Sequence, residues 1–400
     1  MTDLLRETLG EWAGEARVPH DLAARALKKR RRPMIWIVPA VAVAAAAAVA
    51  LVIVPGAERA APDPAATVSV EVTLPPRPEP ESDIKADVDN NPPATLIAAG
   101  QYAVSAYYTI NAGPSNGDPF HRTWSLYDPR TGGYERTDWA WVDVAPGLHL
   151  AAVLEGPDLG TRLGIMDMKT RQILRWVDLQ NPAGSVAWSP DGTKVLATTY
   201  SDYPDMVQGE GRQHPDVSKP VRTGYYIVDA ATGQADHHAL PSMPDNQVGD
   251  PEGKPFNGNR RQDLGWSVDG TLLWQPTSTQ PAKVYLTADG QPAEAPDKAQ
   301  ADSYRDEPIW SPDGTKRLTG DGLPTPVVDR DGKELGRQKL LQQWAWADND
   351  NIIGLGCYGE CENEFHSSIV VTSVDGTQVT QLSTYQKGDD GRWNPVLTRR

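Results

Sequence analysis

Residues 94–400 are predicted to form an all-β domain, a β-propeller of about six repeated sheets in a ring. Three observations lead there. Short β-branched runs alternate with Asp-Gly, Pro-Gly and Thr-Gly turns across the whole stretch, the pattern of regularly spaced hairpins. A tryptophan-plus-turn motif recurs internally. The marker tryptophans Trp141, Trp188, Trp266, Trp310, Trp346 and Trp393 are separated by 47, 78, 44, 36 and 47 residues, which fits units of about 40–50 residues.

The motif is clearest at Val186-Ala187-Trp188-Ser189-Pro190-Asp191-Gly192-Thr193-Lys194 and Pro308-Ile309-Trp310-Ser311-Pro312-Asp313-Gly314-Thr315-Lys316. A third copy, Leu264-Gly265-Trp266-Ser267-Val268-Asp269-Gly270-Thr271, replaces the proline with Val268. Degenerate copies begin at Trp141 and Trp346. In each copy the tryptophan ends an inner strand and offers flat area for packing between sheets. Proline fixes φ, aspartate bonds back to the turn, and glycine supplies the left-handed corner. A second hairpin follows about 20–30 residues later, as at Tyr225–Asp229 with Thr232-Gly233, and two hairpins make a four-stranded blade. Five marked blades plus a first one at 94–137 give six, with Tyr127-Asp128 and Thr131-Gly132-Gly133 as that blade's outer hairpin. The strand from Trp393 to Leu397 is expected to join the first blade and close the ring. Seven blades also fit if one end holds an extra unit.

The Trp-Ser-Pro-Asp-Gly-Thr-Lys pattern at 188–194 and 310–316 resembles the WD40-like propeller repeat of the TolB family. The resemblance spans about 300 residues. It implies the fold, and by analogy with the family's periplasmic member it implies an envelope protein with protein partners. Blades are scaffold, so the motif does not assign an activity.

Upstream, residues 2–27 carry helical spacing broken at Pro19, in two stretches too short to stand alone in water. Lys28 to Arg32 are all basic, and Met34 to Val54 follow with 21 uncharged residues. At ~1.5 Å per residue that run reaches ~31 Å, enough to cross a bilayer core. It is longer than the core of a secretory signal, and Glu58 or Pro55 would spoil the nearest cleavage sites. The expectation is therefore an uncleaved single span with a cytoplasmic tail (1–33), the basic flank inside, and everything beyond it extracytoplasmic. Residues 55–93 hold nine Pro and eight Asp/Glu, which predicts a disordered, semi-stiff stalk.

Charge narrows the partners. The chain carries 38 Lys/Arg and 53 Asp/Glu, net -15, and residues beyond 33 account for more than all of that excess. Such an acidic body repels phosphate backbones, so nucleic acid is not an expected partner. The only cysteines, Cys357 and Cys361, are too few for a disulfide scaffold or a zinc site; a small disulfide loop between them suits an oxidising compartment.

The search for chemistry returns little. Gly354-Leu355-Gly356-Cys357-Tyr358-Gly359 matches a dinucleotide pattern by letter but lacks the strand–turn–helix it needs. Asp348-Asn349-Asp350-Asn351 opens like a calcium loop and then fails at Ile352; a hairpin turn is the expectation. Adjacent His237 and His238 should point to opposite faces of an outer strand. No nucleophile elbow, zincin motif or phosphate loop is present, so no catalytic residue, metal or cofactor is assigned. One constellation stands out. Asp138, Ser185, Asp263, Glu307, Gln343 and Asp390 each lie three residues before a marker tryptophan. In a ring of blades they would surround one mouth of the channel, where carboxylates would attract a cation or basic peptide. Ordinary turn-adjacent polar residues on a solvated rim are the alternative.

Three functions fit. The first is a non-catalytic binding or sensing propeller held outside the cell, with insertions at 201–222 and 241–261 as contact loops. The second is a transmembrane regulator, similar in layout to anti-sigma factors, whose tail (1–27) meets a cytoplasmic partner. The third is an exported glycoside hydrolase or lyase using two of the carboxylates.

Overall fold

The motif residues build the same turn wherever they occur. In the computed structural model Ser189 Oγ donates to Asp191 Oδ1, Asp191 accepts from the Thr193 amide, and the Lys194 amide donates back to Ser189 Oγ. Ser267-Asp269-Thr271, Ser311-Asp313-Thr315 and Ser373-Asp375-Thr377 repeat these bonds. Gly192 sits at φ +75° at the corner, a conformation that costs glycine little. A turn this fully bonded fixes which residues on either side face each other, and so sets strand register.

The structure describes residues 72–112, 119–205, 221–241, 261–276, 283–296, 310–319, 324–338, 340–359, 366–387 and 392–400. They form an all-β, propeller-like fold with no helix among them. In chain order, the first sheet holds β1 (Ala98–Ala99), β2 (Tyr102–Ala112), β3 (Phe120–Asp128) and β4 (Gly133–Thr137). A seven-stranded sheet follows: β5 (Trp141–Val144), β6 (Leu150–Leu154), β7 (Gly160–Asp167), β8 (Ile173–Trp188), β9 (Lys194–Tyr200), β10 (Arg222–Asp229) and β11 (Ala235–Ala239). Next come β12 (Gly265–Trp266), β13 (Leu273–Pro276), β14 (Lys283–Leu286) and β15 (Pro292–Ala293), then β16 (Lys316–Leu318), β17 (Thr325–Asp329) and β18 (Glu334–Gln338). The last sheet has β19 (Leu340–Trp346), β20 (Asn351–Gly356), β21 (His366–Ser373), β22 (Val379–Gln381) and β23 (Gln386–Lys387). Finally β24 (Trp393–Arg399) returns to pair with β2, from Tyr102↔Arg399 to Thr109↔Trp393.

All these pairings between strands are antiparallel and sequential, except the return of β24 and the pairing of β23 with β21. The return gives the first sheet its innermost strand from the chain's last segment, as expected from the sequence. Long β8 serves two repeats, its first half as an outer strand and its second as an inner one. Apolar clusters lie between successive sheets. One packs Leu126, Val142, Val144 and Met166, another Leu196, Tyr225, Leu264 and Leu273. A third joins Ile97 and Val104 of the first sheet to Ile353, Ile369 and Trp393. Last and first sheets therefore share a core, which no single sheet could bury alone.

Register corrects two of the sequence markers. The residue after each motif tryptophan donates its amide across the turn: Ser189 N to Lys194 O, Ser267 N to Leu272 O, Ser311 N to Lys316 O and Ala347 N to Asn351 O. The same bond runs from Ala145 N to Leu150 O and from Arg400 N to Gln101 O. Val144 and Arg399 therefore occupy the tryptophan position, and Trp141 and Trp393 begin their strands instead. The degenerate copy at 141 lacks the aspartate, so the letters aligned on the wrong residue.

The expected free stalk is also revised for residues 72–93, which lie along the domain. Val72 N donates to Ala231 O, Arg77 packs on Gly147, and Lys85 pairs with Ala98. Asp87, only 5% exposed, accepts from the amides of Asn90, Ala94 and Thr95. The prolines hold this stretch extended, and its carboxylates find fixed donors, so it behaves as a strap. Among the described residues no helix is long and apolar enough to cross a membrane; the tail at 1–33, the span expected at 34–54 and residues 55–71 lie outside them.

Candidate functional site

In antiparallel sheets of this connectivity the motif turns share one end. The links between second and third strands share the other, with the links between repeats. Four such links meet at that opposite end. Phe120, His121 and Arg122 begin β3, Asp158 lies between β6 and β7, Tyr203 and Asp205 follow β9, and Arg261 and Asp263 lead into β12.

Their side chains form one network. Asp205, fully buried, accepts from Arg261 Nε at 2.8 Å and Nη2 at 2.6 Å, and from both terminal nitrogens of Arg122. Arg261 Nη1 also donates to Gly184 O and to both oxygens of Asp263. Tyr200 Oη completes the set by donating to Asp263 Oδ1 at 2.8 Å. Both guanidinium groups lie against Trp141, Arg122 at 4.9 Å and Arg261 at 4.7 Å from the ring centroid; Arg122 also meets Tyr108 and Phe120. Burial alone would raise the Asp205 carboxyl, but Arg261 and then Arg122 hold it below its usual range. Burial and then the Asp263 charge push the Tyr200 phenol well up, so it stays a donor. The cluster is charge-balanced, two cations on two carboxylates, the arrangement a buried ionic group requires.

Beside it stands an open pair. His121 Nδ1 and Asp158 Oδ1 are 2.6 Å apart, with side chains 44% and 40% exposed. The imidazole stacks on Tyr203 at 5.4 Å, and Tyr203 Oη donates to Phe120 O. Asp158 takes one ring nitrogen, so Nε2 is left for a ligand. The arrangement can present a rigid aromatic and charged platform with an exposed imidazole at its edge.

Among the described residues the acidic ring expected from the sequence is not assembled. Asp138 follows the outer strand β4 and lines an outer groove of about 470 Å³ with Trp139 and Arg171, because Trp141 itself holds the position assigned to it. Ser185 is buried on β8, paired with Thr198. Asp263 belongs to the network above and is already neutralised by Arg261. Gln343 pairs with Gly354 within its sheet, and Glu307 and Asp390 lie outside the described residues. Cys357 is disulfide-bonded and follows β20 at this same end; Cys361 lies outside the described residues. Gly354 and Gly356 are part of β20, and Asp348 caps a hairpin turn by accepting from Asp350 N. His237 and His238 pack on different tyrosines, Tyr226 and Tyr225. Sequence reading missed Arg122, His121, Asp158, Asp205 and Arg261. They come from four separate connections and carry no motif; a buried Asp-to-Arg pairing has no signature along the chain.

No protein-family model and no curated protein matches this chain. Solved structures resemble it slightly. An oligogalacturonate lyase from Vibrio parahaemolyticus is 12% identical over 76% of this chain and 85% of its own, with a TM-score of 0.37. TolB from Acinetobacter baumannii is 12% identical over 72% and 67%, TM-score 0.32. The Swd1 propeller domain from Myceliophteria thermophila is 11% identical over 74% and 89%, TM-score 0.32. Likeness this slight assigns no activity, substrate or partner to this chain.

Proposed function

We propose that this chain is a non-catalytic binding module, a six-repeat propeller displayed outside the cell on one membrane span. Its connection-end face is the contact surface for a protein or small ligand. One observation carries this reading: connections from four repeats converge on a single network, and that network leaves His121 exposed at its rim. Binding sites favour loops held by a rigid scaffold. Arg122, Arg261 and Asp205 supply that rigidity, and the insertions at 201–222 and 241–261 begin or end at network residues. The 21 uncharged residues after a basic flank support the anchor.

Two measurements test it. Protease treatment of intact cells should release the propeller and spare the tail; a protected propeller rejects the topology. A photo-cross-linker at position 121 should capture a defined partner or ligand that one at position 237, on an outer strand, does not. Equal products at both positions, or none, reject the contact face.

A further inference from the structure

The opposite end holds a second feature. A pocket of about 270 Å³ is lined by Val268 of the third motif turn, Trp310, Ser311 and Pro312 of the fourth, Trp346, and Gln101, Tyr102 and Arg399 at the ring closure. Side chains from four consecutive repeats meet in one small cavity only where the repeats crowd together, near the ring's axis. The volume equals about nine waters, which suits one ring with a substituent rather than a large ligand.

The walls are fixed. Gly100 takes φ +55°, and a β-carbon there would collide with the Ala347 carbonyl. Gln101 Nε2 donates to Trp346 O at 3.2 Å. The Arg317 guanidinium lies 5.4 Å from the Trp310 ring centroid. Ser311 Oγ is committed to its own turn. The exposed Arg399 guanidinium forms no hydrogen bond or ion pair among the described residues; its charge acts on the neighbouring Tyr102 phenol, whose hydroxyl is likewise unbonded among them, in a chain with net charge -15. The apolar lining is the Trp310 indole, a phenol ring, a proline and Val268, itself 38% exposed, with Trp346, 1% exposed, packed in the core beneath. Flat apolar walls around one unpaired cation complement a flat apolar ligand with one negative charge.

We propose that this mouth binds a small aromatic carboxylate, its ring against Trp310 and Pro312 and its carboxylate on Arg399. The chemistry comes either as a free aromatic acid or as the C-terminal aromatic residue of a peptide. The site is separate from the connection-end face and does not depend on it.

Ligand-observed NMR on the full-length chain in detergent tests this with indole-3-acetate and its neutral twin, indole-3-acetamide. The acetate is expected to bind about tenfold or more tightly than the amide, and Arg399→Gln is expected to erase that difference while leaving the fold's melting temperature unchanged. Trp310→Leu should weaken both ligands, whereas His121→Ala should change neither. Displacement of the acetate by a Gly-Gly-Trp peptide with a free C-terminus would identify a peptide end as the source; no displacement would identify the free acid. Equal binding of acetate and amide, undiminished preference in Arg399→Gln, or no binding of either ligand overturns the proposal.

Discussion

A single carboxylate shows how far one residue departs from its repeat. Asp143 stands one place before the tryptophan position, where other repeats carry Ala187, Gly265 and Ala345. Its Oδ2 accepts from Trp188 N at 2.7 Å, and its own carbonyl accepts from the Trp188 indole. The Trp266 indole makes the same bond to Ala187 O, so the motif tryptophan ties its repeat to the one before. Burial pushes the Asp143 carboxyl from 3.8 up to about 7. A raised carboxyl is held protonated by the fold while the unfolded chain releases its proton. Stability is therefore full below the unfolded value and falls as pH rises through the folded one. Asp143→Asn keeps the acceptor for Trp188 N and cannot ionise. Its stability relative to the parent, read from thermal unfolding, should rise across the window from 3.8 to about 7, reaching ~2 kcal/mol at its top given the residue's partial exposure. A flat difference across that window would show that Asp143 does not titrate there.

At the scale of elements the strap is the main departure from expectation. Composition predicted a stalk for 55–93, since prolines and acids cannot bury a core of their own. Residues 72–93 use the domain's core instead. Leu74 packs against the cluster of the seven-stranded sheet, Arg400 donates to Asp83 Oδ1 at 2.7 Å, and Asp87 gathers three amides. Asp87→Ala removes the acceptor for all three at once and should lower stability by about 2–3 kcal/mol, read from urea unfolding. An unchanged midpoint would mean the strap lies on the domain without being held by it. The strand hairpins, in contrast, were legible, because Asp-Gly turns and alternating β-branched residues act over a few neighbours and need no distant partner.

For the whole molecule, two long-range devices matter: the return of β24 to β2 and the shared carboxylate of Asp205. Arg122 belongs to the first sheet, Asp205 follows β9, and Arg261 precedes β12, so this clasp joins repeats far apart in the chain. Asp205→Asn leaves two buried cations with Asp263 as their one carboxylate and Arg122 without its ion pair, at a cost of about 3–5 kcal/mol. Thermal unfolding should show the loss, and hydrogen exchange should show Tyr203 and the start of β3 opening first. A variant as stable as the parent would mean water or another group already serves the two arginines.

The sequence by itself determined the repeat, the turn chemistry, the all-β class and the joining of the last strand to the first, because each is written in residues that act within a single hairpin or in the periodicity of many. Only tertiary structure decided which residues meet at either end. The register of the degenerate copies, the failure of the acidic ring, the Asp205 clasp and the Arg399 mouth all depend on how sheets stack around an axis. A shift of three residues, invisible in the letters around Trp141, moves Asp138 from the expected channel mouth to an outer groove.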